Sequence, residues 1–485
     1  MQQLEEPIID NNKHYKPISL HLSCLLLFGI LAFIILGYEF MGVPLEGLLI
    51  ISAIIISLVA IYQGHTFNQI QDEIVNKFAQ AMPSLMIVLC VGGVIGIWVS
   101  CGTIPYLIWL GLKSINPQYL LVISFLVTCI VSMSTGTSWG SVGTIGVAMM
   151  GVAVSMNANL AAVAGALVGG AYFGDKYSPL SGSSNFAAVV NNINLYEHIR
   201  HLTYTTIPAF LVSLAVYIII GFNSGDVDVA TSSTVENTIQ EIESLYNLSW
   251  FLLIPVIIVL VGAIIKKPVV PVLLLATTVG LFIAIFYQGI DFKTSMQSIV
   301  FGFKVDYFIE RDHITVSNGI TTLLNRGGIN SMMSTTLIII CAFSFAGPLV
   351  LTKILNVILN KFTQIITSAA GLMLSCITSA VILIAATGNN NIASLLPSEL
   401  FREAYEKKGL HRKNIARTVE DAGTVIEPLL PWTAAGAYMA ATLHVNAFEY
   451  FPWAIQCYAG LIFAIIYAIT GKCIAKIDDK KETTK

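Results

Sequence analysis

Long apolar runs, parted by short polar stretches, set the pattern of this chain from about residue 18 to residue 470. A bilayer core takes about 20 apolar residues per helix. The runs therefore predict full spans at 20–38, 45–62, 83–101, 205–222, 249–265, 268–287, 331–351 and 447–470. Two further regions, 159–187 and 418–445, keep the apolar character but carry acids, hydroxyls and proline inside it, which predicts helices broken within the span. Two others, 117–156 and 363–401, predict hairpins that enter the bilayer and turn back.

Charge placement supports these hairpins. Lys and Arg gather on the cytoplasmic side of membrane proteins. Here they cluster at Arg402, Lys407, Lys408, Arg412, Lys413 and Arg417 and in the tail from Lys472 to Lys485, while 223–248 holds Asp226, Asp228, Glu236, Glu241 and Glu243 with no base. Lys361 and the 402–417 cluster both belong inside, yet one long apolar run, "TQIITSAAGLMLSCITSAVILIAA", lies between them. The remaining "NIASLLPSELF" makes roughly 16 Å of helix, too short to cross. The chain must turn at "TGNNN" (387–391) and return; by the same reasoning 117–156 turns at "STGTSWGS" (134–141) from the opposite side.

The two halves then match: two spans, an amphipathic linker, a third span, a hairpin, a broken span and a last span. The hairpin turns share Thr135-Gly136 and Thr387-Gly388, and the broken spans share an Asp followed by Pro-Leu. Five crossings per half invert the second copy, the build of secondary transporters whose interrupted helices meet near the midplane. The expected organisation is a cytoplasmic tail 1–17, a first repeat 18–222, an acidic extracytoplasmic loop 223–248, a second repeat 249–471 and a basic cytoplasmic tail 472–485. The fold class is an all-α integral membrane protein, an inverted-repeat transporter of about ten transmembrane helices with two re-entrant hairpins and two broken helices.

Composition agrees. The 485 residues are 55% hydrophobic and only 11% charged, against about 25% charged in soluble domains. The expected setting is the cell's inner (plasma) membrane, multi-pass, with both termini cytoplasmic and the first span kept as an anchor, since "LEEPIID" is an acidic leader rather than a basic one. The lipid bilayer is the surrounding partner, nucleic acid is not expected to be one, and a homodimer is among the assemblies the sequence allows. The eight scattered cysteines include no C-x-x-C pair and read as small buried hydrophobes.

Irregular backbone at membrane depth is tolerated only where protein buries it or a cavity receives it. The unusual polar residues fall at such places: Thr135, Thr137, Ser138 and Ser141; Asp175, Ser178, Ser181 and Asn185; Asn389, Asn390 and Asn391; Glu420, Asp421, Thr424 and Glu427. A carboxylate at mid-membrane costs about 2.5–3.5 kcal/mol on insertion scales, which a partner, a proton or a bound cation must offset. A hard cation such as Na⁺ takes oxygen ligands, the local inventory. Asp175, Asp421 and Glu427 are the expected Na⁺ ligands, and a carboxylate that holds either a proton or Na⁺ yields exchange. The plain alternatives are an Asp175–Lys176 ion pair, pairing of Asp421 and Glu420 with Arg417, and Glu427 in an extramembrane loop. "GTSWG" (136–140) matches the hydrolase elbow G-x-S-x-G, but its flanks are apolar helices where that motif needs a preceding strand. No enzymatic activity and no cofactor are expected, Na⁺ and H⁺ being cargo.

"GDKYSPLSGSSNFAA" with "ARTVEDAGTVIEPLLPWTAAGAYM" resembles the NhaC family of Na⁺/H⁺ antiporters, in outline along nearly the whole chain. The resemblance implies exchange of cytoplasmic Na⁺ for external protons. It also admits the alternative of a Na⁺- or H⁺-coupled exchanger or symporter of a small organic anion or amino acid, of the malate/lactate type. It carries over Asp175, Ser178, Ser181 and Asn185 in the first motif and Glu420, Asp421, Thr424 and Pro428 in the second. Gly182 stands where many members have Asp, Glu427 where a small residue is usual, and Thr433 where Asn is common. Two readings of these departures stay open: Glu427 supplies the carboxylate absent at 182, or the change marks a different substrate, such as an amino acid or organic anion carried with Na⁺.

Overall fold

The computed structural model describes residues 15–223, 229–312, 315–365 and 368–477. Most of the N-terminal tail, Asp226 and Asp228, and Lys480, Lys481 and Lys485 lie outside the described residues. Among the described residues, nine helices are long and apolar enough to cross a bilayer, or eleven if each of two bent helix pairs is one span. Three of them, Pro117–Thr135, Ser138–Ser155 and Ala369–Thr387, are hairpin legs. Setting those legs aside leaves eight with both bent pairs counted, and the two broken helices bring the total to the ten expected crossings.

Helix boundaries depart from the expectation where polar residues lengthen a helix beyond its apolar part. Phe67–Ser100 is one helix of 34 residues, and the linker "HTFNQIQDEIVNKFAQ" forms its first half. A capping box starts it: Thr66 accepts from the Gln69 amide while the Gln69 side chain accepts from the Thr66 amide. Leu195–Asn223 likewise begins ten residues before the predicted span. The return leg of the second hairpin, Asn390–Lys407, runs past residue 401 into charged residues. The connection after residue 101 is a helix, Thr103–Ser114, that the spans left unassigned. Its Lys113 and Trp109 both donate to Glu243 of the helix Val229–Leu245, at 2.8 and 2.7 Å. That ion pair, aided by the indole donor, holds the Glu243 carboxyl below the usual carboxylate range.

Both hairpins are re-entrant. Pro117 and Met156, at the two open ends of the first, line one surface cavity with Val235 and Glu236 of the acidic loop. At the second, Leu372 and Met373 of the descending leg share a buried cluster with Phe401 and Tyr405 of the returning one. The helix Leu195–Asn223 relates the two. Its Gly221 packs on the Gln118 backbone, at the mouth of the first hairpin. Near its other end, His201 Nε2 lies 3.1 Å from Asn414 Oδ1, just beyond the exit of the second. Twenty residues of helix span about 30 Å, so the hairpins open on opposite faces.

The broken helices follow from their sequences. Leu160–Tyr177 stops before Pro179, which lacks an amide proton. After a tight turn in which the Ser181 amide donates to the Ser178 carbonyl, Gly182–Val190 resumes under a Ser181 cap. The second runs as Lys413–Val419, a π turn Glu420–Thr424, a 3₁₀ turn Glu427–Leu429 and Ala434–Leu443 under a Thr433 cap. Glycine brings the first against its hairpin: a Cβ at Gly174 would sit 2.4 Å from the Met133 amide nitrogen. The breaks align without a gap, "GDKYSPL" (174–180) with "GTVIEPL" (423–429). That alignment equates Asp175 with Thr424 and Ser178 with Glu427.

Candidate functional site

Each hairpin tip is inserted into one break. Thr135 ends the first descending leg and Gly136 turns the chain at φ 68°, where an added Cβ would lie 2.6 Å from the Cβ of Leu180. Only glycine fits so close a turn. Thr137 caps the returning leg by accepting from the Gly140 amide. Ser138 follows, and both its amide and its hydroxyl donate to Asp175 Oδ2, at 3.2 and 2.8 Å. The second tip repeats the construction. Gly388 turns at φ 58°, Asn389 accepts from the amides of Asn391 and Ile392, and Thr424 Oγ1 donates to Asn390 Oδ1 at 3.0 Å. Ser138 on Asp175 and Thr424 on Asn390 are the same junction in the two halves, with donor and acceptor exchanged.

These four irregular segments line one cavity of about 340 Å³. Thr137, Ser138 and Trp139 come from the first tip and Asn389, Asn390 and Asn391 from the second. The first break contributes Tyr172, Asp175, Gly182 and Ser183, and the second Thr424, Glu427 and Ala434. Gln80 and Ser84 of Phe67–Ser100 and Phe343 of Met333–Leu351 complete the polar and aromatic wall. Two carboxylates face the space, Asp175 and Glu427, and among the described residues no lysine, arginine or histidine lines it.

Behind the cavity the breaks are joined by a buried ion pair. Lys176 Nζ, one residue from Asp175, donates to Asp421 Oδ1, and the two side chains are 2% and 0% exposed. The breaks therefore meet inside the protein. Both oxygens of neighbouring Glu420 are buried with no hydrogen-bond partner among the described residues. Arg417 Nη1 donates to the Cys473 carbonyl at 2.8 Å.

Comparison with known proteins places this architecture. A model of the Na⁺/H⁺ antiporter family matches residues 170–472, from the first broken helix through the last span. A Haemophilus influenzae protein described as an uncharacterized Na⁺/H⁺ antiporter is 50% identical over 85% of this chain and 88% of its own length. This chain belongs to the Na⁺/H⁺ antiporter family. Two further members are each 32% identical. The Na⁺/H⁺ antiporter NhaC of Alkalihalophilus pseudofirmus is matched over 84% of this chain and 87% of its own. The malate-2H⁺/Na⁺-lactate antiporter of Bacillus subtilis is matched over 86% and 87%.

In this antiporter the residues singled out in the sequence divide into two groups. Asp175, Thr137, Ser138, Asn389, Asn390, Thr424 and Glu427 face the cavity. Thr135, Ser178, Ser181 and Asn185 instead hold the turns. Thr135 Oγ1 lies 3.3 Å from Ser141 Oγ, Ser178 Oγ accepts from the Leu180 amide, Ser181 caps the resumed helix, and Asn185 donates to the carbonyls of Pro179 and Ser181. Asp421, expected among the Na⁺ ligands, is engaged by Lys176 and is absent from the lining, as is Glu420. The alternative pairings also change: Lys176 binds Asp421 rather than Asp175, and Arg417 reaches a backbone carbonyl. Sequence reasoning missed Gln80, Ser84, Trp139 and Tyr172 as lining residues. Gln80 and Ser84 straddle the junction where the polar linker meets the predicted apolar span, and this was their one visible signal.

Proposed function

We infer that the cavity between the hairpin tips is where Na⁺ and protons compete in this antiporter, with Asp175 and Glu427 as the competing groups. A carboxylate that has taken a proton no longer offers its charge to Na⁺, so occupancy by one excludes the other and exchange follows. The hydroxyls of Thr137 and Ser138 and the amide oxygens of Asn389 and Asn390 provide the neutral oxygens a hard cation needs. Charge placement supports cytoplasmic termini in the cell's plasma membrane, with Na⁺ leaving as protons enter. The observation that carries the reading is the bond from the first hairpin tip to Asp175, in a cavity shared with Glu427 of the opposite half.

The test is Na⁺-driven proton flux in proteoliposomes that trap a pH-sensitive dye. Wild-type protein produces flux on Na⁺ addition alone, whereas Asp175→Asn and Glu427→Gln, expressed at normal levels, produce none. Unchanged exchange in Glu427→Gln removes that residue from the site and ends the idea that it replaces an acid at 182. A second reading, exchange of an organic anion, draws support from the malate/lactate relative and from the amide donors at the second tip. It predicts flux that depends on added malate or lactate rather than on Na⁺ alone.

A further inference from the structure

The cavity is much larger than an alkali ion requires. At about 30 Å³ per water molecule, a space of about 340 Å³ holds on the order of ten waters, within the range of pockets that take small organic solutes. Its charge is one-sided. Asp175 and Glu427 face it without a basic side chain among the described residues, and Lys176, next to Asp175 in the chain, is held by Asp421. An organic anion would bring its charge beside two carboxylates inside the protein, where repulsion is stronger than in water. An organic cation would meet both acids and also three aromatic side chains, Trp139, Tyr172 and Phe343. Trp139 is fixed in place, its ring stacked on Tyr438 with centroids 4.5 Å apart and its carbonyl accepting from the Tyr438 hydroxyl at 2.8 Å. Aromatic side chains beside carboxylates are the chemistry that recognises ammonium groups, quaternary ones included.

We propose that the same cavity binds and exchanges a small organic ammonium ion in place of Na⁺. This rests on the cavity being the exchange site, and it adds a second class of cargo. No covalent step is involved: the ammonium ion occupies the carboxylates when protons leave them and is displaced when protons return.

Choline is the probe, since it carries a permanent charge, crosses bilayers poorly and has no ammonium proton to confuse a pH reading. Purified full-length protein in proteoliposomes is loaded acidic, and uptake of labelled sodium or labelled choline is followed after dilution into alkaline medium. Choline is expected to accumulate in response to the gradient and to raise the KM for Na⁺ several-fold without lowering the maximal rate. Malate at equal concentration should change neither. Trp139→Leu should raise the choline KM about tenfold relative to the Na⁺ KM, the effect of losing one favourable cation–ring contact. If that variant fails to fold, Phe343→Leu, at another lining aromatic, reports the same ratio. Sodium uptake that choline neither enters nor competes with overturns the proposal and leaves Na⁺/H⁺ exchange standing. Absence of gradient-driven sodium uptake in the wild-type protein would instead strike the reading beneath it. Competition by malate in place of choline overturns the inference as well.

Discussion

Asp175 and Ser138 meet through two hydrogen bonds to one carboxylate oxygen, Oδ2, and Asp175 also lines the cavity. Ser138→Ala keeps the amide bond and deletes the hydroxyl bond, and hydrogen bonds to charged groups contribute about 1.5–3 kcal/mol. The KM for Na⁺ should rise by about tenfold or more, measured as dye response against Na⁺ concentration. Gly182 offers a second test. A Cβ there meets nothing within 4 Å, and the residue lines the cavity with Glu427 at the start of a helix. Gly182→Asp should therefore restore exchange that Glu427→Gln has abolished; a double variant as inactive as the single one contradicts interchangeable positions. The Lys176–Asp421 pair belongs to stability. Breaking a buried pair by removing one partner costs about 3–5 kcal/mol, while replacing both with apolar side chains is often neutral. Thermal unfolding in detergent should show Lys176→Met clearly destabilised and Lys176→Met with Asp421→Leu largely recovered.

At the scale of elements, the hairpins and breaks were legible because their residues have few other conformational options. Thr-Gly followed by Thr or Asn reads as a turn and a cap, and Pro179 and Pro428 each remove an amide donor within a polar stretch that interrupts the apolar run. The extent of Phe67–Ser100 was hidden, since its polar first half carries no membrane signal and is specified by the Thr66 cap. The pairing of Lys176 with Asp421 was hidden for another reason: the two lie 245 residues apart, and no local pattern joins them. The second broken helix also braces both hairpins. Trp432 Nε1 donates to the Ala385 carbonyl at 2.7 Å, and the Tyr438 hydroxyl to the Trp139 carbonyl at 2.8 Å. Tyr438→Phe keeps the ring stacking and loses that bond, a net effect of about 1 kcal/mol or roughly fivefold. The KM for Na⁺ should move by that factor with little change in maximal rate. An unchanged KM with a lower rate would show that Tyr438 does not position the first tip.

For the molecule as a whole, the alignment of "GDKYSPL" with "GTVIEPL" sets the register of the repeat, and Asp421 falls outside the aligned stretch. Asp175 is equivalent to Thr424, and Glu427 to Ser178. Each half thus supplies one cavity acid from a non-equivalent position, so the architecture is symmetric while the charge is not. The most direct measurement of this shared site is proton release when Na⁺ is added to purified protein in weakly buffered detergent. The account predicts release from the wild-type protein and none from Asp175→Asn or from Glu427→Gln, because each half contributes an indispensable carboxylate. Full release from either variant would contradict it.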